Sequence, residues 1–581
     1  MGKQRGKNTH NKPRNKPHTG IKSPTHRRSI HMKITQIIKT TRKREQEKNI
    51  EVKTPLDTKI PEKMEDAIRE NPHLEEYLKK LGSKPIYTLK IDPIKTMDKE
   101  IIIPLPQRIF IHINPEKRTY KIIEPEKPSP EIMEKIETAL ARIIAEKDIQ
   151  VTTENKIKII MELLPQAIRK AKIKVDKRRE EELLYHMLRE KVGYGFLDPF
   201  LLDENLEDIS IPGAGNIFVY HRAYGYLESN IHVEKSEIDR VLRSMAERHG
   251  KIISHVNPIL DIHLPDGSRL NIVFGEDISL HGSNFTIRKF AKEPLSIAQL
   301  VRGNTLTAEM AAYMWMLIEV GVSMFICGET ASGKTTTLNA LLSFIPYYNK
   351  VVSIEETPEV RLPHKNWVRE VTRLHTGSPV TMFDLVKAAL RQRPDYIIVG
   401  EIRGEEGRIA FQAINTGHPV VSTFHAGTLT QLFQRLTSDP INVPKSQIDG
   451  LNITIFQARI ERNGKFIRRV TTVNEILGYN VKTGNLMYIP TYIYDPDADK
   501  LSSTGISYLL ESKVLPARGW SREQLPKLYE ELSKRAEIIR WHSQNAPRYL
   551  DLWKTVIEVN TLGVDQVYER IMRGEKPWRE D

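Results

Sequence analysis

The feature that most constrains this chain is an octapeptide at residues 328–335, Gly-Glu-Thr-Ala-Ser-Gly-Lys-Thr. Two glycines with four residues between them, followed by Lys and Thr, match the P-loop pattern. The apolar run at 324–327 predicts a strand that leads into the loop, and residues 336–342 predict a helix that follows it. Glycine allows the sharp turn that aims successive backbone N–H groups at a phosphate, and a helix N-terminus adds partial positive charge. The octapeptide therefore predicts a phosphate-binding loop.

The loop also predicts which nucleotide and which ion are bound. We expect Lys334 to reach the β- and γ-phosphates of ATP and the Thr335 hydroxyl to ligate Mg²⁺. The alternative is a glycine-rich turn that matches the pattern by accident, and it leaves the flanking strand and helix unexplained. The residues predicted to bind ATP are Gly328, Glu329, Thr330, Ala331, Ser332, Gly333, Lys334, Thr335 and Thr336.

Length and composition limit what can surround this loop. A chain of 581 residues is too long for one core, so several domains are expected. No apolar stretch of about 18 residues predicts a membrane span. The only cysteine, Cys327, leaves no disulfide framework and no cysteine-built zinc site. A cytosolic location is the expectation.

The net charge of +14 is concentrated at the N-terminus. Residues 1–50 contain fifteen Lys or Arg against Glu45 and Glu47, so this segment carries +13 and the folded body is nearly neutral. Because residues 1–55 are polar and lack apolar periodicity, we expect them to be disordered. Met32 lies within them and is a second candidate for the start of the chain.

Acidic residues follow an apolar run shortly after the P-loop. The apolar run Val-Val-Ser-Ile at 351–354 is followed by three acids, Glu355, Glu356 and Glu359. A carboxylate at this point, in contact with the γ-phosphate, would position or deprotonate the attacking water. The alternative is a solvated acidic turn.

Two further segments extend the pattern. Residues 396–399 are apolar or aromatic, and Glu401 and Arg403 follow them, which is typical of a buried strand whose terminal carboxylate lies beside Mg²⁺. His418 and His425 then flank another apolar strand. A single histidine is more often structural, but two around a strand in this position indicate a γ-phosphate sensor.

Together the four segments resemble the Walker A, Asp box, Walker B and His box of the secretion ATPase superfamily, the motors of type II secretion, type IV pili and archaeal surface filaments. The resemblance continues through residues 193–199, 206–210 and 264–271, and it covers about residues 100 to 480. The C-terminal part resembles the archaeal branch. The resemblance implies an α/β fold in which a RecA-like P-loop nucleotide domain follows a smaller α+β N-terminal domain, with helical N- and C-terminal segments.

Local patterns and the resemblance together give a domain plan. Within 205–290 the pattern predicts strand, helix and strand, with Ser236 as the helix N-cap and Gly250 just beyond its end. The predicted divisions are a disordered basic tail (1–55), an N-terminal α/β and helical domain (56–192), a small PAS-like α+β domain (193–290), a linker (291–303), a RecA-like ATPase domain (304–480) and a helical C-terminal extension (481–581).

The resemblance also implies roles for individual residues. Arg269 and Arg288 fall where the family places arginines that complete the ATP site, although a surface ion pair is the alternative for either one. Glu359 matches the family's catalytic carboxylate, and Glu355 and Glu356 are expected to organise Mg²⁺-bound water. Arg361 is a further candidate. The predicted catalytic residues are Glu359, Glu401, Arg269, Arg288, Glu356, Glu355, His425 and Arg403, and the predicted Mg²⁺ ligands are Thr335 and Glu401.

The function implied by the resemblance is that of a hexameric Mg²⁺-dependent ATPase, peripheral on the inner face of the cell membrane. It would power assembly of a type IV pilus-like filament or a type II-like secretion system. Its expected partners are a polytopic membrane platform protein and filament or pseudopilin subunits. The alternative is a nucleic-acid translocase ring, since the basic tail would bind phosphates. The nearly neutral body and the lack of a recognisable nucleic-acid-binding domain argue against it.

The basic tail generates a prediction of its own. A segment with +13 charge and no apolar face can contact anionic headgroups, at about 1 kcal/mol per basic residue near the surface. The alternative is a solvating arm, or extra residues from a misassigned start. If the segment contacts headgroups, deleting residues 1–50 is expected to leave ATP hydrolysis nearly intact and to reduce co-sedimentation with anionic liposomes sharply. The binding should weaken as salt screens it. Full binding by the truncated protein would assign the membrane contact to the folded part of the chain.

Overall fold

The computed structural model describes residues 60–91, 96, 98–152, 155–264, 266–290, 293–373, 378–462, 465–480 and 482–579. The predicted disordered tail, residues 1–55, lies outside the described residues. The chain divides into two compact units. Of the described residues, the first unit comprises those up to Ser83, Ile103–Phe110 and those within Ile123–Leu188, and the second comprises those within Lys84–Ile102, Ile111–Ile122 and those from Arg189 onward.

Helices and strands come in separate runs at both ends of the chain and alternate between 324 and 437, the part that includes the P-loop. The helices that precede the P-loop are α1 (Met64–Glu70), α2 (Pro72–Leu81), α3 (Pro130–Glu146), α4 (Lys156–Lys170), α5 (Lys177–Lys191), α6 (Asp198–Leu202), α7 (Lys235–Arg248), α8 (Ile297–Arg302) and α9 (Ala308–Glu319). Those that follow are α10 (Lys334–Leu342), α11 (Met382–Ala389), α12 (Glu406–Asn415), α13 (Leu429–Thr437), α14 (Leu515–Ala517), α15 (Leu525–Asn545), α16 (Tyr549–Leu562) and α17 (Val564–Met572). In the described part of the chain, no helix is both long enough and apolar enough to cross a membrane.

Ten strands that precede the P-loop form one sheet. They are β1 (Ile86–Tyr87), β2 (Ile101–Leu105), β3 (Ile109–Asn114), β4 (Thr119–Ile123), β5 (Leu206–Ile211), β6 (Gly215–His221), β7 (Gly225–Val233), β8 (Ile259–His263), β9 (Arg269–Val273) and β10 (Asn284–Arg288). Their order in the sheet is β1-β2-β3-β4-β7-β6-β5-β10-β9-β8. Strands β9 and β10 are antiparallel and pair Arg269 with Arg288, so the two predicted arginines are neighbours across the strands.

Helix α7 corrects one detail of the sequence prediction. The helix begins at Lys235, and Glu234 is its N-cap residue, so the assignment of Ser236 as the cap is wrong. Ser236 instead lies inside the first turn, because extended backbone ends at Glu234. The prediction for the other end is confirmed, since Gly250 follows the C-cap residue His249 with a φ of +66°.

The P-loop belongs to a second, nine-stranded sheet. Its strands are β11 (Met324–Cys327), β12 (Val351–Glu355), β13 (Trp367–Val371), β14 (Tyr396–Ile402), β15 (Val420–Phe424), β16 (Ile453–Arg462), β17 (Lys465–Asn480), β18 (Asn485–Asp495) and β19 (Lys500–Ser503). Their order is β13-β12-β14-β15-β11-β16-β17-β18-β19. Pairing is parallel from β13 to β16 and antiparallel from β16 to β19. One strand, β15, separates the P-loop strand β11 from the acid-bearing strand β14, and the fold is RecA-like.

The residues of this sheet explain why it forms. Strands β11, β12 and β15 are buried at every position, as expected for parallel strands covered on both faces. Helix α9 shares a hydrophobic core with residues of these strands, and ten of its twelve residues are buried. One of them, Trp315, stacks on Phe344 with 5.0 Å between the ring centroids. The strand and helix predicted around the P-loop are therefore confirmed as β11 and α10.

Two segments differ from the sequence prediction. Where a linker was expected at 291–303, the structure has helix α8, which begins with a capping box formed by Ser296 and Gln299. Where turns and then a mostly helical extension were expected after 480, strands β18 and β19 come first, because β18 continues the sheet by antiparallel pairing with β17. The helices of the C-terminal extension start only after this sheet ends.

A buried ion network fixes that extension to helix α9. Glu319 at the end of α9 pairs with Arg535 at 2.8 Å and with Arg518 at 2.7 Å, and Arg535 also pairs with Glu531 at 2.8 Å. The Arg535 side chain is only 3% exposed, and its guanidinium lies 4.6 Å from the centroid of the Trp315 ring. Burial alone would raise the pKa of Glu319, but the two arginines outweigh it and hold the pKa below its ordinary value. The network is satisfied only while all its members are present.

Breaking this network is expected to weaken the attachment of the extension. Arg535→Ala leaves buried Glu319 and Glu531 short of positive charge, which should cost about 3–5 kcal/mol of the free energy of unfolding. Lys534→Ala on the same helix is the control, because the partners Glu530 and Asp565 are largely exposed and such pairs contribute about 1 kcal/mol or less. Urea titration followed by tryptophan fluorescence measures both. Equal, small losses would show that the network does not hold the extension.

Candidate functional site

The phosphate loop has a backbone that only glycine permits at two positions. Gly328 and Gly333 have φ values of +158° and +97°. A Cβ at Gly328 would lie 2.2 Å from the carbonyl oxygen of Gln457, so a side chain cannot fit there. The carbonyl of Glu329 accepts hydrogen bonds from Lys334 Nζ at 3.0 Å and from Ser332 Oγ at 2.8 Å. The loop is thus folded on itself, with the Lys334 side chain drawn against its backbone.

Residues far along the chain support the loop from the side. Gln457 on β16 accepts a hydrogen bond from Thr337 Oγ1 at 2.7 Å, in the helix behind the loop. Arg468 on β17 donates from Nε to the carbonyl of Ala331 at 3.2 Å. Ala331 has a φ of +62°, which a non-glycine residue rarely adopts, so this hydrogen bond helps to hold a strained position. No local sequence motif marks Gln457 or Arg468, because both residues reach the loop from another part of the sheet.

The predicted acids and the histidine meet at one edge of the sheet. Strands β12, β14, β15 and β11 run parallel, so their carboxyl ends lie side by side next to the P-loop. Glu355 ends β12, Glu401 lies near the end of β14 opposite Thr423, and His425 follows β15. Ligands bind at this edge in open α/β sheets. The structure therefore brings together the P-loop, Walker B and His box residues.

Glu401 is held from two sides. His425 Nε2 lies 2.8 Å from its Oε1, and the guanidinium of Arg403 pairs with its Oε2. Arg403 also lies 3.9 Å from a carboxylate oxygen of Glu356. Burial lowers the pKa of His425 although the charge of Glu401 opposes the shift, and burial likewise lowers the pKa of Lys334. A neutral imidazole is therefore favoured beside the Glu401 carboxylate at neutral pH.

The chemistry of these side chains fits a nucleotide-bound Mg²⁺. Among the described residues, no group of three or more His, Cys, Asp or Glu side chains could hold a metal by itself. Mg²⁺ that accompanies a nucleotide needs only one or two protein oxygens, since phosphates and water supply the others. The half-buried hydroxyl of Thr335 at the start of α10 and the carboxylate of Glu401 are oxygens of the required kind.

The three acids after β12 occupy different environments. Glu355 is 1% exposed, and its Oε1 accepts the backbone N–H groups of Glu359 and Val360, both at 2.7 Å. Burial raises the pKa of Glu355 to about 7, although these two hydrogen bonds oppose the shift. Glu356 is exposed and Glu359 is half-buried. Glu355 thus anchors the backbone of the Asp box, whereas the side chains of Glu356 and Glu359 are the accessible ones.

Arg269, at the start of strand β9, reaches this segment. Its NH1 lies 3.5 Å from Thr357 Oγ1, and its Nε lies 3.3 Å from Asp261 Oδ1. From the other side, Arg361 donates to the carbonyl of Asp266 at 2.9 Å. Within the described part of the chain, no hydrogen bond or ion pair joins Arg288 to these segments. Of the two arginines predicted in the small domain, the structure therefore places Arg269 against the Asp box.

Comparison with known proteins gives a consistent assignment. Residues 190–458 match the family model T2SSE, "Type II/IV secretion system protein". The chain is 40% identical over 513 residues to "Uncharacterized protein MJ0900" of Methanocaldococcus jannaschii, which covers 82% of this chain and 92% of that protein. It is 27% identical over 267 residues to "Protein VirB11" of Agrobacterium fabrum, which covers 41% of this chain and 77% of that protein.

Solved structures are more distant. The pilus retraction motor PilT with bound ADP is 16% identical, with a TM-score of 0.37 over 60% of this chain and 92% of that chain. A likeness at this level adds nothing to the assignment, which rests on the sequences. The family-model match, in a chain that spans nearly the whole of a relative 40% identical to it, shows that this protein belongs to the type II/IV secretion system protein family.

Proposed function

We propose that this protein is an Mg²⁺-dependent ATPase whose turnover drives a secretion system or the assembly of a type IV pilus-like filament at the cytosolic face of the membrane. The observation that carries the proposal is the grouping of a P-loop, the His425–Glu401 pair and the Asp box at one edge of a parallel sheet. Membership of the secretion family supports the biological setting.

Each group at this edge has a part in hydrolysis. The backbone N–H groups of the P-loop and Lys334 hold the phosphates, and Glu359 orients and deprotonates the attacking water. His425 and Arg403 keep the Glu401 carboxylate in place near the terminal phosphate. Mg²⁺, when bound with ATP, neutralises charge on the phosphate oxygens. The protein supplies positioning and fixed charge, which account for most of the catalysis of phosphoryl transfer.

The small domain completes the site in this proposal. Arg269 already lies against the Asp box and is about half exposed, so its guanidinium can turn toward a transferred phosphoryl group. A ring of six chains would bring neighbouring subunits close to each nucleotide. Such a ring would also convert hydrolysis into movement of a membrane platform and of filament or pseudopilin subunits.

Four substitutions test the chemistry. Lys334→Ala is expected to abolish tight ATP binding, because the charge that holds the phosphates is lost. Glu359→Gln and Glu401→Gln are expected to keep binding but slow hydrolysis by about 10²–10⁴-fold, since an oriented catalytic group is removed. Fluorescent-nucleotide titration and phosphate release separate the two effects. Wild-type turnover by Glu359→Gln, with loss in Glu356→Gln, would move the catalytic role to Glu356.

Arg269 and ring formation are tested together. Arg269→Ala is expected to lower kcat by about 10³-fold with little change in ATP affinity, because such an arginine acts on charge in the transition state. Arg222→Ala is the matched control, since Arg222 is also a partly exposed arginine of the small domain and pairs only loosely with Glu207. Activity per chain should rise with protein concentration as rings form. Constant activity from a monomer would contradict the ring mechanism.

A further inference from the structure

A buried amide links the helix behind the phosphate loop to the segment that carries Glu359. Asn339 lies in α10, five residues after Lys334, and is 7% exposed. It belongs to none of the four sequence motifs. Burying a polar side chain costs free energy unless its hydrogen bonds are made. The hydrogen-bond partners of Asn339 therefore indicate its role.

Both ends of the Asn339 amide bind the backbone of the Asp box. Its Nδ2 donates to the carbonyl of Glu359 at 3.0 Å, and its Oδ1 accepts the N–H of Arg361 at 2.8 Å. The two hydrogen bonds hold the backbone on either side of Val360. Because two hydrogen bonds in opposite directions fix both position and orientation, the amide acts on this backbone as a neighbouring strand would.

Glu355 binds the same backbone segment from the side of the sheet. Its carboxylate accepts the N–H of Glu359, and Arg369 NH2 donates to the carbonyl of Pro358 at 2.8 Å. Glu355 and Arg369 belong to strands β12 and β13, whereas Asn339 belongs to the P-loop helix. Among the contacts that the described residues make with this segment, those of Asn339 join Glu359 to the helix of the phosphate loop rather than to the sheet.

The C-terminal extension covers the contact between helix α10 and the Asp box. The hydroxyl of Tyr549, at the start of α16, lies 3.4 Å from the carbonyl oxygen of Asn339 and 3.5 Å from that of Arg361. The Tyr549 side chain is almost fully buried, and burial raises its pKa well above the ordinary value, so it stays protonated. Excluding water here strengthens the hydrogen bonds of Asn339, which would otherwise compete with solvent.

We propose that Asn339 is a positioning residue that holds the Glu359 backbone at a fixed distance from the bound phosphates. The inference rests on the proposed function, because it requires Glu359 to act on the water that attacks ATP. Displacement of a reacting group by about 1 Å can cost about 10²-fold in rate. Asn339 touches neither nucleotide nor water in this role, and its whole effect passes through Glu359.

The test compares Asn339 with a buried asparagine at the other end of the same sheet, where strands β11 and β16 begin. Asn452 is 8% exposed, and its Oδ1 accepts the N–H of Ser323 at 3.0 Å, just before β11 begins. In the full-length protein, Asn339→Ala is expected to lower kcat by about 10²-fold. The affinity for a fluorescent non-hydrolysable ATP analogue should change by less than about twofold. Asn452→Ala should lower the thermal midpoint comparably and leave kcat within about twofold.

Two further variants separate positioning from general destabilisation. Asn339→Asp keeps the acceptor for Arg361 but opposes a carboxylate to the carbonyl of Glu359, so kcat should fall although the side-chain volume is unchanged. Asn339→Ala added to Glu359→Gln should cause little further loss, because residues that act as a unit are not additive. A multiplicative loss in the double variant, a parallel loss of affinity, or equal kcat for Asn339→Ala and Asn452→Ala would overturn the inference. A wild-type protein that does not hydrolyse ATP would instead overturn the proposed function and the inference with it.

Discussion

The arrangement of the site depends on the parallel pairing of strands β12, β14, β15 and β11. Parallel strands lie about 4.8 Å apart and all end at the same edge, so one group from each strand end is enough to build a site. Glu355, Glu401, His425 and the P-loop are these groups. Their order follows the strand order, in which β15 separates the loop from the acid strand. A different strand order from the same local sequences would scatter them.

Burial at this edge then decides how the groups behave. His425 and Arg403 face the two carboxylate oxygens of Glu401, and the pKa of His425 is lowered because desolvation outweighs the charge of Glu401. Glu355, with two backbone hydrogen bonds but almost no exposure, has a pKa raised to about 7. Two acidic residues at the ends of neighbouring strands thus have different surroundings.

A second set of side chains holds the backbone on which the site is built. Gln457 and Arg468 support the P-loop, Asn339 connects its helix to the Asp box, and Tyr549 covers that connection. The C-terminal extension is fixed in turn by the buried Glu319 network. Apart from the contacts of Asn339 with the Asp box, which span about 20 residues, these contacts join segments more than a hundred residues apart, so the accuracy of the site depends on the assembled fold rather than on any one motif.

The sequence alone determined the P-loop with its strand and helix, the family, the RecA-like fold class and the acidic and histidine segments, because glycine spacing and apolar runs act locally. It misplaced the cap of α7, and it did not predict α8 in the linker or β18 and β19 ahead of the C-terminal helices. Strands β18 and β19 are added to the sheet by hairpins, and whether such segments form strands depends strongly on the packing around them. Only the tertiary structure decided that Glu355 is buried, that Arg269 rather than Arg288 meets the Asp box, and that Asn339 reaches Glu359. Each of these features depends on which other segment of the chain lies next to the residue. Hydrophobic periodicity within one segment does not predict its neighbours in the fold.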